Sequence, residues 1–299
     1  MSATLPGLSL RADFSTDKIP PDPLCGTAHS IAIVHVGMEF HSSCPSLPRL
    51  FNVIETFAAL AIAHVASDFV FQSRWIAQNK TALWPMSAHI AIVAVTSWTA
   101  LGFSALFAVL LLSAAHLAMD LLKSRHLKKS GGSFGIDQGF HICCILIFAM
   151  AQPNAWSNGL WASVPGNAPS QALALGVLAM GAIYATRGGL FFVEHIVTPN
   201  KCTASDWRSL NSSTHRLATW QRATVFLGML IGPMACAAIC AVYVTFKLWH
   251  DRNTDRPNGT MSGMLGSFAW AIFIGFGTHV TLSLLPTLDA ARMGPYPLL

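Results

Sequence analysis

Charged residues are scarce in this 299-residue chain: Asp, Glu, Lys and Arg make up only 10% of it, while 53% of the residues are hydrophobic. Soluble domains carry about a quarter charged residues, so this composition argues against an ordinary soluble protein. Several mostly apolar windows reach about 18 residues, long enough to cross a bilayer. The alternation typical of an outer-membrane barrel is absent. We therefore predict an all-α polytopic membrane bundle, because backbone groups in hydrocarbon must pair internally.

Several familiar binding and catalytic motifs are also missing. The chain contains no GxxxxGK or GxGxxG phosphate loop and no HExxH zinc-protease helix, so these nucleotide and protease arrangements have no support in the sequence. The seven cysteines include no CxxC pair. The net charge of +5 is small and spread over loops, so no nucleic-acid partner is expected.

The apolar windows predict seven transmembrane helices preceded by an irregular segment. The expected spans are about 52–71, 86–100, 102–122, 135–151, 171–193, 220–248 and 261–285. Residues 1–50 are rich in Pro and Ser without a helical period, and we expect an irregular tail or an upstream extension there. The remainder divides into a four-helix core, 51–151, and a second part, 152–299, with three further helices and a cytoplasmic loop near 194–219.

Lys and Arg concentrate in alternate loops, which predicts the orientation of the chain. Loops 72–85, 123–133 and 194–219 carry Lys and Arg, whereas 152–171 contains no charge at all. Short cytoplasmic loops carry an excess of Lys and Arg. With seven spans, an N-terminus outside and a C-terminus inside places every basic loop on the cytoplasmic face.

Ionisable residues inside the first four spans are the main signal of function. A charge at the centre of a membrane helix costs some ~2.5–3.5 kcal/mol on insertion scales, so such residues by default face the bundle interior and serve a function. Seven of them form the candidate site: His64, Asp68, His89, His116, Asp120, Asp137 and His141. In three of the four spans a His and an Asp lie four positions apart, which places both on one helical face. Alternating helix directions put all seven at one depth, near the inner leaflet.

Imidazole and carboxylate groups together are the ligands of zinc, manganese and non-haem iron. The seven residues could hold one divalent metal ion, or two that share a bridging carboxylate. Asp68, Asp120 and Asp137 are then also the candidate catalytic groups. The same set could instead pass protons or divalent cations through a transporter. A third alternative is a structural network that only fixes helix packing.

A second set of polar residues flanks this layer and is expected to bind substrate: Gln72, Arg74, Lys80, Lys123 and Gln138. Basic groups beside the inner leaflet attract an anionic headgroup, which suits a lipid-linked or amphipathic substrate and membrane lipids as partners. Anchoring of the loop at the membrane interface is the alternative role.

The order of these motifs resembles a known family. The stretches "AHVASDFVFQSRWIAQNK", "HLAMDLLK" and "DQGFH", with His89 between the first two, are similar to domain-of-unknown-function family 3307 (DUF3307). The similarity is close over about 52–145 and looser to about 235, where Gln221 stands in place of a Glu. It implies a multi-pass protein of the bacterial inner membrane whose pattern includes the seven ionisable residues and Gln72, and it implies no activity. The residues themselves favour a metal-dependent hydrolase at the cytoplasmic leaflet.

Overall fold

The computed structural model describes residues 47–126, 131–193, 213–253 and 260–285, which are helical almost throughout. The helices are α1 Leu47–Ala66, α2 Arg74–Gln78, α3 Leu83–Ala100, α4 Leu106–His126, α5 Gly131–Ala151, α6 Ala168–Ile183, α7 Gly189–Phe192, α8 Ser213–Ile231, α9 Pro233–Arg252 and α10 Met261–Leu284. A π turn, Ser67–Phe71, continues α1, and another, Tyr184–Gly188, joins α6 to α7. Short 3-10 turns follow α5 at Pro153–Ala155 and Leu160–Ser163. The irregular tail expected over residues 1–50 lies, except for its last four residues, outside the described residues.

The predicted all-α fold is confirmed for the described residues, which contain no strand. Six helical segments among them are long and apolar enough to cross a membrane: Arg49–Phe71, Leu106–Ser124, Phe134–Ala151, Ala168–Phe192, Pro233–Arg252 and Met261–Leu284. The expected count of seven is therefore not confirmed. The predicted span 86–100 is a helix, α3, but it falls outside these six. The orientation of the chain in the membrane stays a prediction.

The prediction of one continuous helix over 220–248 is wrong. The chain breaks at Gly232, where φ is +153°, a value that favours glycine. Pro233 follows and cannot continue the preceding helix, because it has no backbone N–H and its ring clashes with the turn before it. Two helices result, α8 and α9, and they pack against each other through Val225 and Cys236.

Four helices, α1, α3, α4 and α5, enclose a common interior. α1 contacts α3 and α5, α3 contacts α4, and α4 contacts α5, so the four close into a ring. Small buried residues of α1, among them Ala59 and Ala63, let its neighbours approach closely. Leu60, Val109 and Ile145 fill the apolar part of this interior. α6 and α10 pack against α1, and α8 packs against α10, so the second half of the chain supports the first.

One end of this four-helix ring is closed by the segment that follows α5. Thr56 donates its hydroxyl proton to the Pro153 carbonyl oxygen at 2.7 Å and accepts the Trp156 backbone N–H at 3.1 Å. A tight turn joins α3 to α4 at the same end, with Gly102 at φ +62°. The Leu160 backbone N–H donates to the Gly102 carbonyl oxygen at 2.8 Å, which fixes the turn between α3 and α4.

A substitution at Gly159 would test how closely this closing segment approaches the α3–α4 turn. In Gly159→Ala the added methyl group would collide with the Leu101 carbonyl oxygen. We expect the free energy of unfolding to fall by about 1–3 kcal/mol, the usual cost of overpacking, measured by thermal unfolding in detergent. Gly277→Ala on α10 is the control, since nothing lies within 4 Å of its added carbon. Equal melting temperatures for the two variants would contradict this account of the closing segment.

Candidate metal centre

A π turn at the end of α1 positions the first pair of polar residues. The turn, Ser67–Phe71, inserts one extra residue per helical turn, a feature often found at functional sites. Ser67 is fully buried and donates its hydroxyl proton to the His64 carbonyl oxygen at 2.8 Å. Despite the wider turn, His64 Nδ1 lies 3.9 Å from Asp68 Oδ2. The spacing of four residues therefore still brings imidazole and carboxylate together.

All seven predicted ligands meet at one level of the four-helix ring, at the end opposite the Gly102 turn. They come from four helices: His64 and Asp68 from α1 and its π turn, His89 from α3, His116 and Asp120 from α4, and Asp137 and His141 from α5. Six of the seven residues are at most 5% exposed, and the Asp68 side chain is 11% exposed. The helices thus form a buried His–Asp cluster, as the common depth in the sequence predicts.

Four of these side chains bring imidazole nitrogens and carboxylate oxygens close together. We call Asp68, His89, His116 and Asp120 the first group. His89 Nε2 lies 3.2 Å from His116 Nε2, 3.5 Å from Asp68 Oδ1 and 3.3 Å from Asp120 Oδ2; His116 Nε2 lies 3.8 Å from Asp68 Oδ1 and 3.7 Å from Asp120 Oδ2. A tetrahedral site with bonds of about 2.0–2.1 Å has ligand-to-ligand distances of roughly 3.3–3.4 Å. The five distances lie near this value, and donor atoms of Asp68, His89 and His116 all lie within 4.8 Å of one another.

Two lysines compensate the buried carboxylates of α4 and α5. Lys80 Nζ lies 3.1 and 3.0 Å from the two oxygens of Asp120, and Lys123 Nζ lies 2.6 Å from Asp137 Oδ2. The lysine side chains keep 22% and 33% of their surface exposed, so they mark the side of the cluster that opens to the outside. The ion-pair partners of Asp68 are instead the imidazoles of the first group and His64.

The remaining three side chains, His64, Asp137 and His141, form a second group beside the first. His141 Nε2 lies 3.4 Å from Asp137 Oδ1. The His141 ring stacks on the His116 ring with the ring centres 3.9 Å apart, and its centre lies 5.1 Å from that of His64. His116 therefore lies on the border between the two groups.

The predicted substrate-binding residues have distinct positions. Gln72 lies with its amide nitrogen 3.4 Å from His89 Nδ1, and Gln138 donates from its amide to Asp137 Oδ2 at 3.3 Å. Both glutamines thus contact the cluster itself, as do Lys80 and Lys123. Arg74 is exposed at the start of α2. Their role in binding a substrate stays a prediction.

Residues 56–164 match the family model of a protein of unknown function, DUF3307. Over this segment the chain is similar to the DUF3307 family. The resemblance predicted from the sequence is confirmed over these residues, which include both groups and the two lysines. The looser resemblance expected as far as about residue 235 lies beyond the match. No curated protein and no solved structure matches the chain.

Two side chains from outside the DUF3307 segment bind residues next to the cluster, and neither was predicted from the sequence. Tyr184 donates its hydroxyl proton to the Gln138 amide oxygen at 3.0 Å. Arg187 donates to the Phe69 carbonyl oxygen at 2.5 Å, within the π turn that carries Asp68. The signal available for Arg187 was its position inside an apolar run, where a cation is costly and usually has a specific partner.

The Lys80–Asp120 pair should show strong coupling in a double-mutant cycle. Lys80→Met leaves the Asp120 carboxylate buried without its cation, and we expect a loss of about 1–3 kcal/mol, below the value for a fully buried pair because Lys80 is partly exposed. Combining it with Asp120→Asn should recover much of this loss. The measurement is unfolding of chelator-treated protein in detergent, and strictly additive effects would rule out the coupling.

Proposed function

We propose that this protein is a membrane-embedded metal-dependent hydrolase that binds a divalent metal ion in the first group. The observation that carries the proposal is the set of five distances, 3.2–3.8 Å, among two imidazole nitrogens and two carboxylate oxygens from three helical segments. Zinc, manganese and non-haem iron all accept this mixed nitrogen and oxygen donor set.

The first group fits a metal ion better than it fits a closed hydrogen-bond network. Asp68 Oδ1 is buried and has no hydrogen-bond partner among the described residues, although His89 Nε2 and His116 Nε2 both lie within 3.8 Å of it. A buried carboxylate oxygen without a donor is costly. A cation between these atoms would satisfy the carboxylate and both nitrogens at once.

Gln72 is suited to orient His89 for this purpose. A histidine that binds a metal through Nε2 carries its proton on Nδ1 and usually donates it to a neighbouring acceptor. Gln72 lies 3.4 Å from His89 Nδ1 through its amide nitrogen. Rotating the amide by half a turn would present its oxygen to Nδ1, and such rotations exchange groups of nearly the same shape. Gln72 would then fix the ring and its tautomer.

A divalent ion at this position supplies a water nucleophile at neutral pH. The chain's own contribution is to hold the surrounding groups. Lys80 contacts both oxygens of Asp120 and so fixes the position of this carboxylate. From that position it would act either as a ligand or as an acceptor for the proton of the attacking water. The buried histidines lie away from the exposed lysines, so a substrate would approach from the side of Lys80 and Lys123.

Apolar side chains beside that opening support an amphipathic or lipid-linked substrate. Trp75 lies on the short helix α2, and Phe71, Leu83 and Trp84 flank it; these side chains are between 54% and 80% exposed. Aromatic residues of this kind lie at the membrane interface. An anionic headgroup near the lysines and an apolar chain near these residues would match the surface. The cytoplasmic leaflet of a bacterial inner membrane is the proposed location.

Ion translocation is the weaker alternative. A transporter needs polar groups along a path through the bundle, whereas Leu60, Val109 and Ile145 fill the interior between the cluster and the Gly102 turn. Uptake of a divalent cation by proteoliposomes containing the protein would reverse this ranking.

Metal content is the direct test of the proposed function. Protein purified in detergent and loaded with zinc or manganese should retain metal, while His116→Ala and Asp120→Ala should lose most of it because each removes a donor of the first group. His279→Gln, an exposed histidine on α10, is the control and should retain the wild-type amount. Equally low metal in the wild type and all variants would falsify the proposal.

The same preparations test the reaction. With long-chain carboxylate and phosphate esters in mixed micelles, we expect hydrolysis that a chelator abolishes and that Asp120→Asn lowers by about 100-fold or more, the scale of general acid–base effects. Retained metal without hydrolysis of any of these esters would count against the hydrolase but not against the metal centre.

Gln72 offers a finer test of the metal geometry. Gln72→Leu removes the acceptor proposed for His89 Nδ1, and loss of such an outer partner lowers metal affinity by about 10–100-fold. Gln72→Glu keeps an oxygen acceptor and should bind metal at least as tightly as the wild type. Competition with a chromogenic chelator measures both affinities. If Gln72→Leu binds as tightly as Gln72→Glu, then Gln72 has no orienting role.

A further inference from the structure

Three buried polar atoms in the second group have no hydrogen-bond partner among the described residues. They are His64 Nε2, His141 Nε2 and Asp137 Oδ1, and their residues are between 3% and 4% exposed. Folded proteins leave few buried polar atoms unsatisfied, because each carries a desolvation penalty. Three such atoms within one small group require a common explanation.

The chemistry of these atoms is that of metal ligands. Two are imidazole nitrogens and one is a carboxylate oxygen, the same donor types as in the first group. His141 Nε2 and Asp137 Oδ1 lie 3.4 Å apart. The His64 ring centre is 5.1 Å from that of His141. A cation among the three atoms would satisfy all of them.

A small cavity adjoins the second group and could supply a further ligand from solvent. Its volume is about 10 Å³, and its lining includes His64, His116 and His141, with Ser97 and Cys144 among the other residues. A cavity of this size holds about one water molecule. An ion with three protein ligands needs at least one more ligand, and the cavity has room for a water molecule beside the imidazoles.

The two groups share one feature. In each, a lysine from the exposed side binds a carboxylate: Lys80 binds Asp120 in the first group, and Lys123 binds Asp137 in the second. Gln138 also donates to Asp137 Oδ2, the oxygen that Lys123 holds. Asp137 Oδ1 is thereby left facing His141. A carboxylate anchored through one oxygen and open at the other is prepared for a ligand.

The groups are also close enough to share a ligand. Ligand atoms of His116, Asp120 and His141 all lie within 4.8 Å of one another, as do those of Asp68, His89 and His116. Asp120 thus reaches from the first group to His141 of the second. Paired metal ions in hydrolytic sites lie about 3.5–4 Å apart and are often joined in this manner.

We propose that His64, Asp137 and His141 bind a second divalent metal ion beside the first, with Asp120 between the two. This inference rests on the proposed function, because it adds a second ion to the same site. The ligand is a divalent transition metal of the class that accepts imidazole and carboxylate, namely zinc, manganese or iron.

Manganese loading tests the pair without any measurement of activity. Detergent-purified protein is stripped with a chelator and reloaded with Mn²⁺, and bound metal per chain is measured together with the electron paramagnetic resonance spectrum. We expect about two ions per chain and the spectrum of an exchange-coupled pair. His141→Gln should hold about one ion with the spectrum of an isolated Mn²⁺. His279→Gln is the control and should behave as the wild type.

His64→Gln removes a ligand from a different helix and is measured in parallel, and only monodisperse protein is scored. If the wild type and His141→Gln each bind one ion per chain, the proposal of a second ion is wrong and the proposal of the first ion stands. Two ions in both variants would overturn the assignment to these residues, and so would the loss of both ions from both variants. No bound metal in the wild type would overturn this inference together with the proposed function.

Discussion

A carboxylate can be buried in an apolar helix bundle only if a cation or a hydrogen-bond donor lies beside it, and three carboxylates in this bundle impose that requirement together. Lys80 supplies the cation beside Asp120, and Lys123 supplies the cation beside Asp137. Asp68 lies among three histidines instead. Because both lysines enter from one side, the compensating charge is confined to one end of the bundle. The other end can then be closed by apolar packing.

The two π turns connect this end of the bundle to the second half of the chain. Wider helical turns leave backbone carbonyl groups poorly paired, which is tolerable inside a membrane protein only when another group satisfies them. Arg187, in the second π turn, donates to the Phe69 carbonyl oxygen in the first. The Phe69 and Tyr184 rings also contact each other, with centres 5.3 Å apart. The position of Asp68 therefore depends on a neighbouring helix as well as on its own.

The sequence predicts the cluster well because its main features are local. A spacing of four residues places His116 and Asp120 on one face in any helix. Because successive helices run in opposite directions, residues at the same depth in different helices become neighbours. The ion pair between Lys80 and Asp120 spans 40 residues, so no local pattern indicates it. The π turn at Ser67–Phe71 has no distinct sequence pattern either. The break at Gly232–Pro233 did have a local signal, and the long apolar run on both sides of it outweighed that signal.

The DUF3307 segment, residues 56–164, is joined near its own two ends, because Thr56 bonds to Pro153 and Trp156. A segment closed in this way carries its His–Asp cluster and both lysines as one contiguous unit of the chain. Tyr184 and Arg187, which hold the cluster from outside, are not part of that unit. The donor atoms of the cluster are therefore all encoded in residues 56–164, and the helices after them contribute support rather than donors.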